Sequence, residues 1–193
     1  MSEHQPLLET HPFPPFVDGN TELLIMGTFP PQPKRWSMEF YYPNRTNDFW
    51  YIMGLIFYGD KKALLNEDNK TFDLDKIKNL LLEHHIGMSD TGYKIRRLKD
   101  NASDKFLEIV EPVPLGKILG MCPKLKTFCT TGEKAAMIMA ELTHTPMPKM
   151  GEMVTGKNGI NIWRMPSTSR AYPLKIEKKA EYYRKMFETA GLL

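Results

Sequence analysis

The sequence predicts an α/β fold, a three-layer α/β/α sandwich with a central, mainly parallel sheet of four strands. Short, continuous apolar runs alternate along the chain with segments of helical periodicity, which is typical of a sheet covered by helices on both faces. Loops of small and rigid residues follow the first and the last apolar run, at residues 27–30 and 165–169. Such loops at the ends of buried strands form the ligand crevice of many α/β sheets.

The start of the chain is predicted to be an extended arm. Residues 1–20 are rich in proline and lack clear periodicity, and we expect Phe13 and Phe16 to pack on the domain. Residues 21–193 form a single domain, because a chain of this length is sufficient for one full hydrophobic core.

The apolar runs and helical stripes give the elements of the domain in order. The predicted strands, the second of them weak, lie at residues 23–26, 86–90, 125–129 and 160–165. The apolar spacing predicts helices that begin near residues 47 and 73, a short helix around 106–110, and helices around 115–119, 135–140 and 176–187. A long proline-rich loop fills residues 28–46, and ordered loops of that length are usually functional.

The composition is that of a soluble globular protein. Charged residues make up 25% of the chain, and no apolar run is long enough to cross a membrane. The first residues lack the features of a signal peptide, so the expected location is the cytoplasm. Cys122 and Cys129 are too few for a cysteine-ligated zinc or iron–sulfur centre, and no His, Asp and Glu cluster has metal-ligand spacing. We therefore expect no metal or other cofactor. We also expect the protein to be a monomer.

The net charge of +3 is too small to establish nucleic-acid binding, but the basic residues are unevenly distributed. They concentrate at residues 94–99, around the long loop at 34–45, and along residues 164–185. Their position beside the small-residue loops favours a phosphate-facing role. The alternative is that each cluster is an ordinary solvated face.

The segment between the two loops is dense in aromatic and amide side chains. Residues 41–50 read Tyr-Tyr-Pro-Asn-Arg-Thr-Asn-Asp-Phe-Trp. This composition suits a flat ring with hydrogen-bonding edges, since aromatic side chains stack on bases and amides bond to their edges. A nucleobase is the ligand that these residues indicate.

Three segments together resemble the uracil-DNA glycosylase superfamily. Residues 24–30 are similar to its first active-site motif, residues 41–50 to the aromatic segment of its mismatch-specific and hypoxanthine-type members, and residues 165–169 to its second motif. Residues 87–109 also resemble the hypoxanthine-DNA glycosylase branch. The resemblance implies a monofunctional DNA glycosylase of base excision repair, which hydrolyses the N-glycosidic bond of a flipped, deaminated or mismatched base. Its partner is then DNA that carries such a base.

The chain departs from the superfamily at two positions. Phe29 stands where typical members carry Asp or Asn to position the attacking water, and Met165 stands where uracil-specific members carry His. The hypoxanthine-type branch shares these losses, and the resemblance to it implies that Asn47 is catalytic, with Asn44 as a near neighbour. The alternative for Asn47 is the N-cap of the helix that follows. The loss of the His donor favours hypoxanthine over uracil as the substrate.

The remaining site residues fall into two sets. The predicted base-binding set is Gly27, Thr28, Phe29, Pro30, Tyr41, Tyr42 and Phe49. The predicted DNA-binding set is Pro166, Ser167, Thr168, Ser169, Arg170 and Lys175. Phe29 and Phe49 could instead be core residues, and the hydroxyls of the second set could cap a helix. Asp90 follows a predicted strand and either faces the pocket or caps a helix.

Other functions compete with the glycosylase. A nucleic-acid-binding protein that kept the fold and lost the chemistry would be consistent with Phe29. An α/β hydrolase with Ser167 or Ser169 as nucleophile lacks the Gly-x-Ser-x-Gly elbow and an obvious His partner. A bifunctional lyase would need a Schiff-base lysine, and none of the matched motifs supplies one.

Overall fold

The computed structural model describes residues 6–99 and 103–193. These residues form a mixed α/β structure with five α-helices and two β-sheets, so the predicted α/β class is confirmed. The strands are β1 (Leu8–Thr10), β2 (Leu23–Gly27), β3 (Ile86–Asp90), β4 (Gly92–Arg97), β5 (Leu107–Pro112), β6 (Thr127–Thr131), β7 (Met153–Thr155) and β8 (Asn161–Met165). The helices are α1 (Phe49–Tyr58), α2 (Leu74–Glu83), α3 (Leu115–Met121), α4 (Glu133–Thr143) and α5 (Ile176–Thr189).

The larger sheet has the strand order β3-β2-β6-β8-β7. Its first four strands are parallel, and β7 lies antiparallel to β8 at the edge. The predicted sheet of four strands therefore lacks β7. This edge strand has only three residues and is largely exposed, so it does not appear in the sequence as an apolar run. Gly27 pairs with Asp90 and Thr131 pairs with Met165, so the carboxyl ends of the parallel strands lie along one edge.

Successive residues of the central strands face opposite sides of this sheet. Leu23 and Ile25 belong to a core with residues of α1, α2 and α5. Leu24 and Met26 belong to a second core with residues of α3 and α4. The apolar run of β2 is continuous because both of its faces are buried.

The second sheet consists of three antiparallel strands in the order β1-β4-β5, and the sequence analysis did not predict it. The helix predicted around residues 106–110 is wrong, because Phe106 ends a short 3-10 turn (Asp104–Phe106) and the residues from Leu107 onward belong to the strand β5. Leu107 is buried and Ile109 is half-buried, whereas Glu108 and Val110 are exposed, and Ile109 pairs with Ile95 of β4. Short apolar spacings fit both a helix and a strand, and here the pairing with β4 selects the strand.

The proline-rich arm is part of both sheets. Strand β1 of the arm pairs with β4, and Phe16 forms an isolated antiparallel bridge with Met88 of β3. Phe13 packs against Trp36 with ring centroids 4.9 Å apart. Residues 1–5 of the predicted arm lie outside the described residues.

Candidate active site

The loops identified in the sequence meet at the carboxyl edge of the larger sheet. Gly27 ends β2, Asp90 ends β3, Thr131 ends β6 and Met165 ends β8. These four strands are neighbours in the sheet, and the crevice of a parallel sheet forms at this edge. The first and second sequence motifs therefore lie on one surface.

Gly27 allows two polar side chains to approach the end of β2. A Cβ atom at this position would lie 2.4 Å from Asp90 Oδ1 and 2.8 Å from the hydroxyl oxygen of Tyr42. Any larger residue would have to displace one of them. The glycine thus lets a carboxylate and a phenol share the floor of the site.

Tyr42 is held over this floor in an uncommon backbone conformation. Its φ angle is 51°, in the left-handed region that non-glycine residues rarely adopt. Its ring stacks on Phe49 with centroids 4.1 Å apart, and its hydroxyl bonds to Thr131 Oγ1 at 2.6 Å. Burial, together with the Asp90 carboxylate, raises the pKa of the Tyr42 phenol. The hydroxyl therefore stays neutral and keeps its proton.

The other aromatic residues of the predicted base-binding set differ in exposure. Phe29 is partly exposed, whereas the exposed fractions of Tyr41 and Phe49 are 2% and 0%. Phe49 is a core residue, which is the alternative role that the sequence left open for it. Phe29 and Tyr42 are the two aromatic members of the set that are only partly buried.

Thr28 and Pro30 connect the first motif to neighbouring elements. The Thr28 hydroxyl donates to Asp104 Oδ2 at 2.8 Å, and the Pro30 carbonyl accepts from Arg97 Nη2 at 3.2 Å. Lys134 Nζ donates to the main-chain carbonyl of Asp104 at 2.8 Å. Burial raises the pKa of the Asp104 carboxyl, and the nearby Asp90 adds to this effect. A second carboxyl group therefore lies close to the floor of the site.

The two candidate catalytic amides, Asn47 and Asn44, both take part in local turns. Asn47 Oδ1 accepts from the N–H of Phe49 at 2.9 Å, at the start of α1. Asn44 Oδ1 accepts from the N–H and from the hydroxyl of Thr46, each at 2.9 Å. The carbonyl oxygen of Asn47 thus closes a local turn, and the N-cap alternative is wrong because Asp48 occupies the N-cap of α1. The NH2 group of Asn47 is the part of the amide left for a ligand or water.

A buried ion pair joins the aromatic loop to the second motif. Asp48 Oδ2 accepts from Nζ of Lys179 in α5 at 2.9 Å, and Lys179 is fully buried. The same Nζ donates to the carbonyl of Ser169 at 2.8 Å, and the Asp48 N–H donates to the carbonyl of Thr168 at 2.8 Å. The two motifs, far apart in the sequence, are therefore held as one unit.

The second motif forms a tight turn at the surface. Ser167 Oγ accepts from the N–H of Ser169 at 3.2 Å, and Ser169 Oγ accepts from the N–H of Ala171 at 3.3 Å. Thr168 is buried, and the carbonyl of Pro166 accepts from the Tyr183 hydroxyl at 2.9 Å. The serine hydroxyls thus act first as local caps of the turn.

The two basic residues of the predicted DNA-binding set differ in their contacts. Arg170 Nε donates to Asp48 Oδ1 at 3.2 Å, although 57% of the Arg170 side chain is exposed. Lys175 is exposed and directly precedes α5. Lys175 can therefore reach a ligand without breaking the contacts that hold the aromatic loop.

His11 and Asp90 form a buried pair that the sequence analysis did not assign. His11 Nε2 lies 2.8 Å from Asp90 Oδ2, and the exposed side-chain fractions are 6% and 7%. Asp90 faces the site and does not cap a helix, because β4 follows it almost directly. Its place at the end of a predicted strand was a usable signal, whereas nothing in the arm sequence distinguishes His11.

Among the residues that the structure describes, no group of three or more His, Cys, Asp or Glu side chains is placed to hold a metal ion. None of the described helices combines the length and the apolar character that a membrane span requires. Cys122 and Cys129 are buried free thiols, and burial raises the pKa of the Cys129 thiol.

No protein-family model matches the chain. A hypoxanthine DNA glycosylase of Methanosarcina barkeri is 29% identical over 124 residues, which are 64% of this chain and 71% of that protein. A hypoxanthine DNA glycosylase of Methanosarcina acetivorans is 28% identical over 123 residues, with the same two coverages. A solution NMR structure from Methanosarcina acetivorans, provisionally assigned as a uracil DNA glycosylase, superposes with a TM-score of 0.67 at 22% identity over 96% of this chain and 99% of that one.

The superposition shows that the folds are similar. The two sequence relatives, both named hypoxanthine DNA glycosylase, show in addition which proteins the sequence resembles. The resemblance that the motifs predict is thus supported, because the chain is similar in sequence to two hypoxanthine DNA glycosylases and in fold to a uracil DNA glycosylase-like structure. Both curated relatives carry the name hypoxanthine DNA glycosylase, the branch that the sequence motifs resemble.

Proposed function

We propose that this protein is a monofunctional DNA glycosylase that releases a deaminated base flipped out of DNA, with hypoxanthine preferred over uracil. The observation that supports this most directly is the meeting of Gly27, Asp90 and Tyr42 at the sheet edge. The relatives named hypoxanthine DNA glycosylase favour the same reaction.

Asp90 is suited to distinguish a deaminated purine from the intact base. Its Oδ2 is engaged by His11, while its Oδ1 points towards the end of β2 at Gly27. Hypoxanthine carries an N–H donor at N1, where adenine carries an acceptor. A carboxylate accepts from the first and repels the second, and a site built to bond an N–H rejects an analogue without it by about 10⁴-fold.

Met165 supports the preference for hypoxanthine over uracil. Uracil also offers an N–H to Asp90, so the carboxylate alone does not separate the two bases. Met165 is buried at the end of β8 and provides no donor for a uracil carbonyl. The larger purine instead gains stacking area on Phe29 and Tyr42, and base stacking contributes about 1–3 kcal/mol for each base.

Asn47 is suited to hold the attacking water. In the reaction the water oxygen bonds to C1′ while the C1′–N bond breaks, and the electron pair of that bond leaves with the base. The water gives up its proton to solvent, and the released base takes one up. The sugar is oxocarbenium-like in the transition state and the base gathers negative charge, so hydrogen bonds at both ends stabilise it. An amide orients water but is a poor base, and we therefore expect slow turnover.

Phosphates on either side of the flipped nucleotide fit the turn of the second motif. Lys175 and the partly exposed Arg170 lie on the same segment as Ser167 and Ser169. Arginine, lysine and serine are the residues that most often contact phosphate oxygens, and such contacts set the register of the DNA without reading its sequence.

The test is a base-release assay on matched duplexes. Oligonucleotides that carry hypoxanthine, uracil, xanthine or a G·T mismatch are incubated with excess protein, and abasic sites are detected by alkaline cleavage. We expect the fastest release from the hypoxanthine duplex. An Asn47→Ala preparation, purified in the same way, controls for glycosylases of the expression host.

The possible results distinguish an error in the proposed base preference from an absence of glycosylase activity. Faster release of uracil would overturn the preference for hypoxanthine and leave a glycosylase. Release of none of the bases would favour the non-catalytic binder, for which Phe29 at the usual acid position is the supporting feature.

A further inference from the structure

The N-terminal arm brings a histidine into the candidate site. Strand β1 pairs with β4, and the N–H of His11 extends this pairing by donating to the carbonyl of Tyr93 at 2.8 Å. The imidazole then lies against Asp90, which ends β3. A segment outside the motifs thus contributes a side chain to the floor of the site.

The hydrogen bonds of His11 place a proton between its ring and Asp90. Nδ1 lies 2.8 Å from the carbonyl oxygen of Phe13 and 3.1 Å from the N–H of Phe13. If Nδ1 accepts from that N–H, the neutral ring carries its proton on Nε2; if the ring is charged, both nitrogens donate. Because an ionised carboxylate can only accept, Nε2–H is the donor to Asp90 Oδ2, at 2.8 Å, and Oδ1 is left for a ligand.

The same ring packs against two members of the predicted base-binding set. It stacks on Tyr41 with centroids 5.6 Å apart and an interplanar angle of 28°. It meets Phe29 edge-on, with centroids 5.1 Å apart and an angle of 76°. His11 therefore contacts both a candidate hydrogen-bond acceptor and a candidate stacking surface for the base.

We propose that His11 is a positioning residue for base recognition, a proposal that rests on the function proposed above. Its Nε2–H fixes the Asp90 carboxylate so that Oδ1 faces the base, and its ring sets the angle of Phe29. Without the donor, the buried carboxylate can rotate towards another partner, and Oδ1 is then no longer aimed at the N–H of the base. The arm is then part of the specificity determinant of the enzyme.

Two substitutions separate the hydrogen bond from the packing. His11→Gln keeps a donor at the reach of Nε2, and His11→Phe keeps a ring of similar size without a donor. We expect His11→Gln to release hypoxanthine in single turnovers within about threefold of the wild type, and His11→Phe to be at least about tenfold slower. Affinity for an undamaged duplex should be unchanged in both, because the His11 side chain is only 6% exposed and is not among the residues proposed to contact phosphate.

A double-mutant cycle with Asp90→Asn tests whether His11 affects base release through Asp90. If His11 acts through Asp90, His11→Phe should slow the Asp90→Asn protein by less than about twofold. Thermal unfolding confirms that each variant is folded, and His11→Met, which also lacks a donor, replaces His11→Phe if that protein does not fold.

The results bear on the two proposals differently. A wild-type protein that releases no base would overturn the proposed function and this inference together. An active wild type with an equally active His11→Phe, or an undiminished effect of His11→Phe in the Asp90→Asn background, would overturn only the role of His11.

Discussion

Asn47 has a structural role whatever its role in catalysis. Its Oδ1 accepts from the Phe49 N–H at 2.9 Å in the turn that leads into α1, and α1 carries buried residues of the larger core. Loss of such a hydrogen bond costs about 0.5–1.5 kcal/mol. A single alanine substitution would therefore mix a loss of stability with a loss of chemistry.

A pair of substitutions at Asn47 separates these roles. Asn47→Ala should reduce the single-turnover rate of base release by at least about tenfold, because the water loses its positioning group. Asn47→Asp keeps the acceptor for the Phe49 N–H, so its thermal stability should stay near that of the wild type while its rate changes. Asn44→Ala serves as the matched control in the same loop. A greater loss of rate in Asn44→Ala than in Asn47→Ala would transfer the catalytic role to Asn44.

Asp104 gives a prediction for the pH dependence of stability. Burial raises the pKa of this carboxyl in the folded protein, so the folded state binds the proton more tightly than the unfolded chain. Stability from this group is complete below the unfolded pKa of about 3.9 and is lost as the pH rises through the folded pKa. Asp104→Asn removes the titration and keeps an acceptor for the Thr28 hydroxyl.

The measurement is urea unfolding of both proteins at a series of pH values. The free energy of unfolding of Asp104→Asn, relative to the wild type, should increase as the pH is raised from about 3 to about 7. A difference that stays constant over this range would mean that Asp104 titrates alike in the folded and unfolded states.

At the scale of elements, one ion pair fixes the relation of two loops and a helix. Lys179 of α5 is fully buried and bonds both Asp48 and the carbonyl of Ser169. Breaking a buried pair by removing one partner costs about 3–5 kcal/mol, because the other charge is left buried. Arg170 still contacts Asp48 at 3.2 Å, so the lower part of that range applies here.

Lys179→Met should therefore destabilise the protein by about 3 kcal/mol. It should also slow base release, because the loop of Asn47 loses its attachment to the second motif. Chemical denaturation and the single-turnover assay measure the two effects. Lys178→Met is the control, since Lys178 pairs with Glu181 at the surface and such pairs contribute about 0–1 kcal/mol. Equal effects of the two substitutions would contradict a special role for the buried pair.

The elements that the sequence predicted well are those whose burial is complete. Strand β2 is buried at every position and stands out as a short apolar run. Strand β6 is also buried throughout, but it contains Thr127, Thr130 and Thr131, and the predicted strand at residues 125–129 is offset from it by two residues. Strands β1, β5 and β7 are half exposed, and they exist because a neighbouring strand pairs with them. Pairing between distant segments leaves little trace in a local apolar pattern.

The residues of the candidate site also fall into those that local sequence patterns predict and those that they do not. The small-residue loops and the aromatic segment are local motifs, and the sequence predicted that they meet. His11, by contrast, reaches Asp90 through the pairing of β1 with β4, which no local signal indicates. The Asp48–Lys179 pair likewise depends on how α5 packs against α1. Long-range packing therefore supplies the residues that support the motifs.

At the scale of the whole molecule, the basic residues divide into paired and exposed ones. In the cluster at residues 94–99, Lys94 pairs with Glu111 at 2.7 Å and Arg96 pairs with Glu108 at 3.4 Å. These are contacts across β4 and β5, so part of this cluster stabilises the small sheet. Lys175 lies beside the second motif and is exposed. The phosphate-facing role that we propose therefore falls on the segment around Lys175.

This division predicts how DNA affinity depends on salt. Each phosphate contact releases counterions, so the logarithm of the binding constant should fall linearly with the logarithm of the salt concentration. Lys175→Ala should reduce the slope by about 0.9, the value for one contact with duplex DNA, while Lys94→Ala should leave the slope unchanged because Lys94 is held by Glu111. Fluorescence anisotropy with a labelled duplex at several salt concentrations measures both slopes. An equal change in the two variants would move the phosphate contacts to the small sheet, and a flat plot for the wild type would indicate a small-molecule ligand in place of DNA.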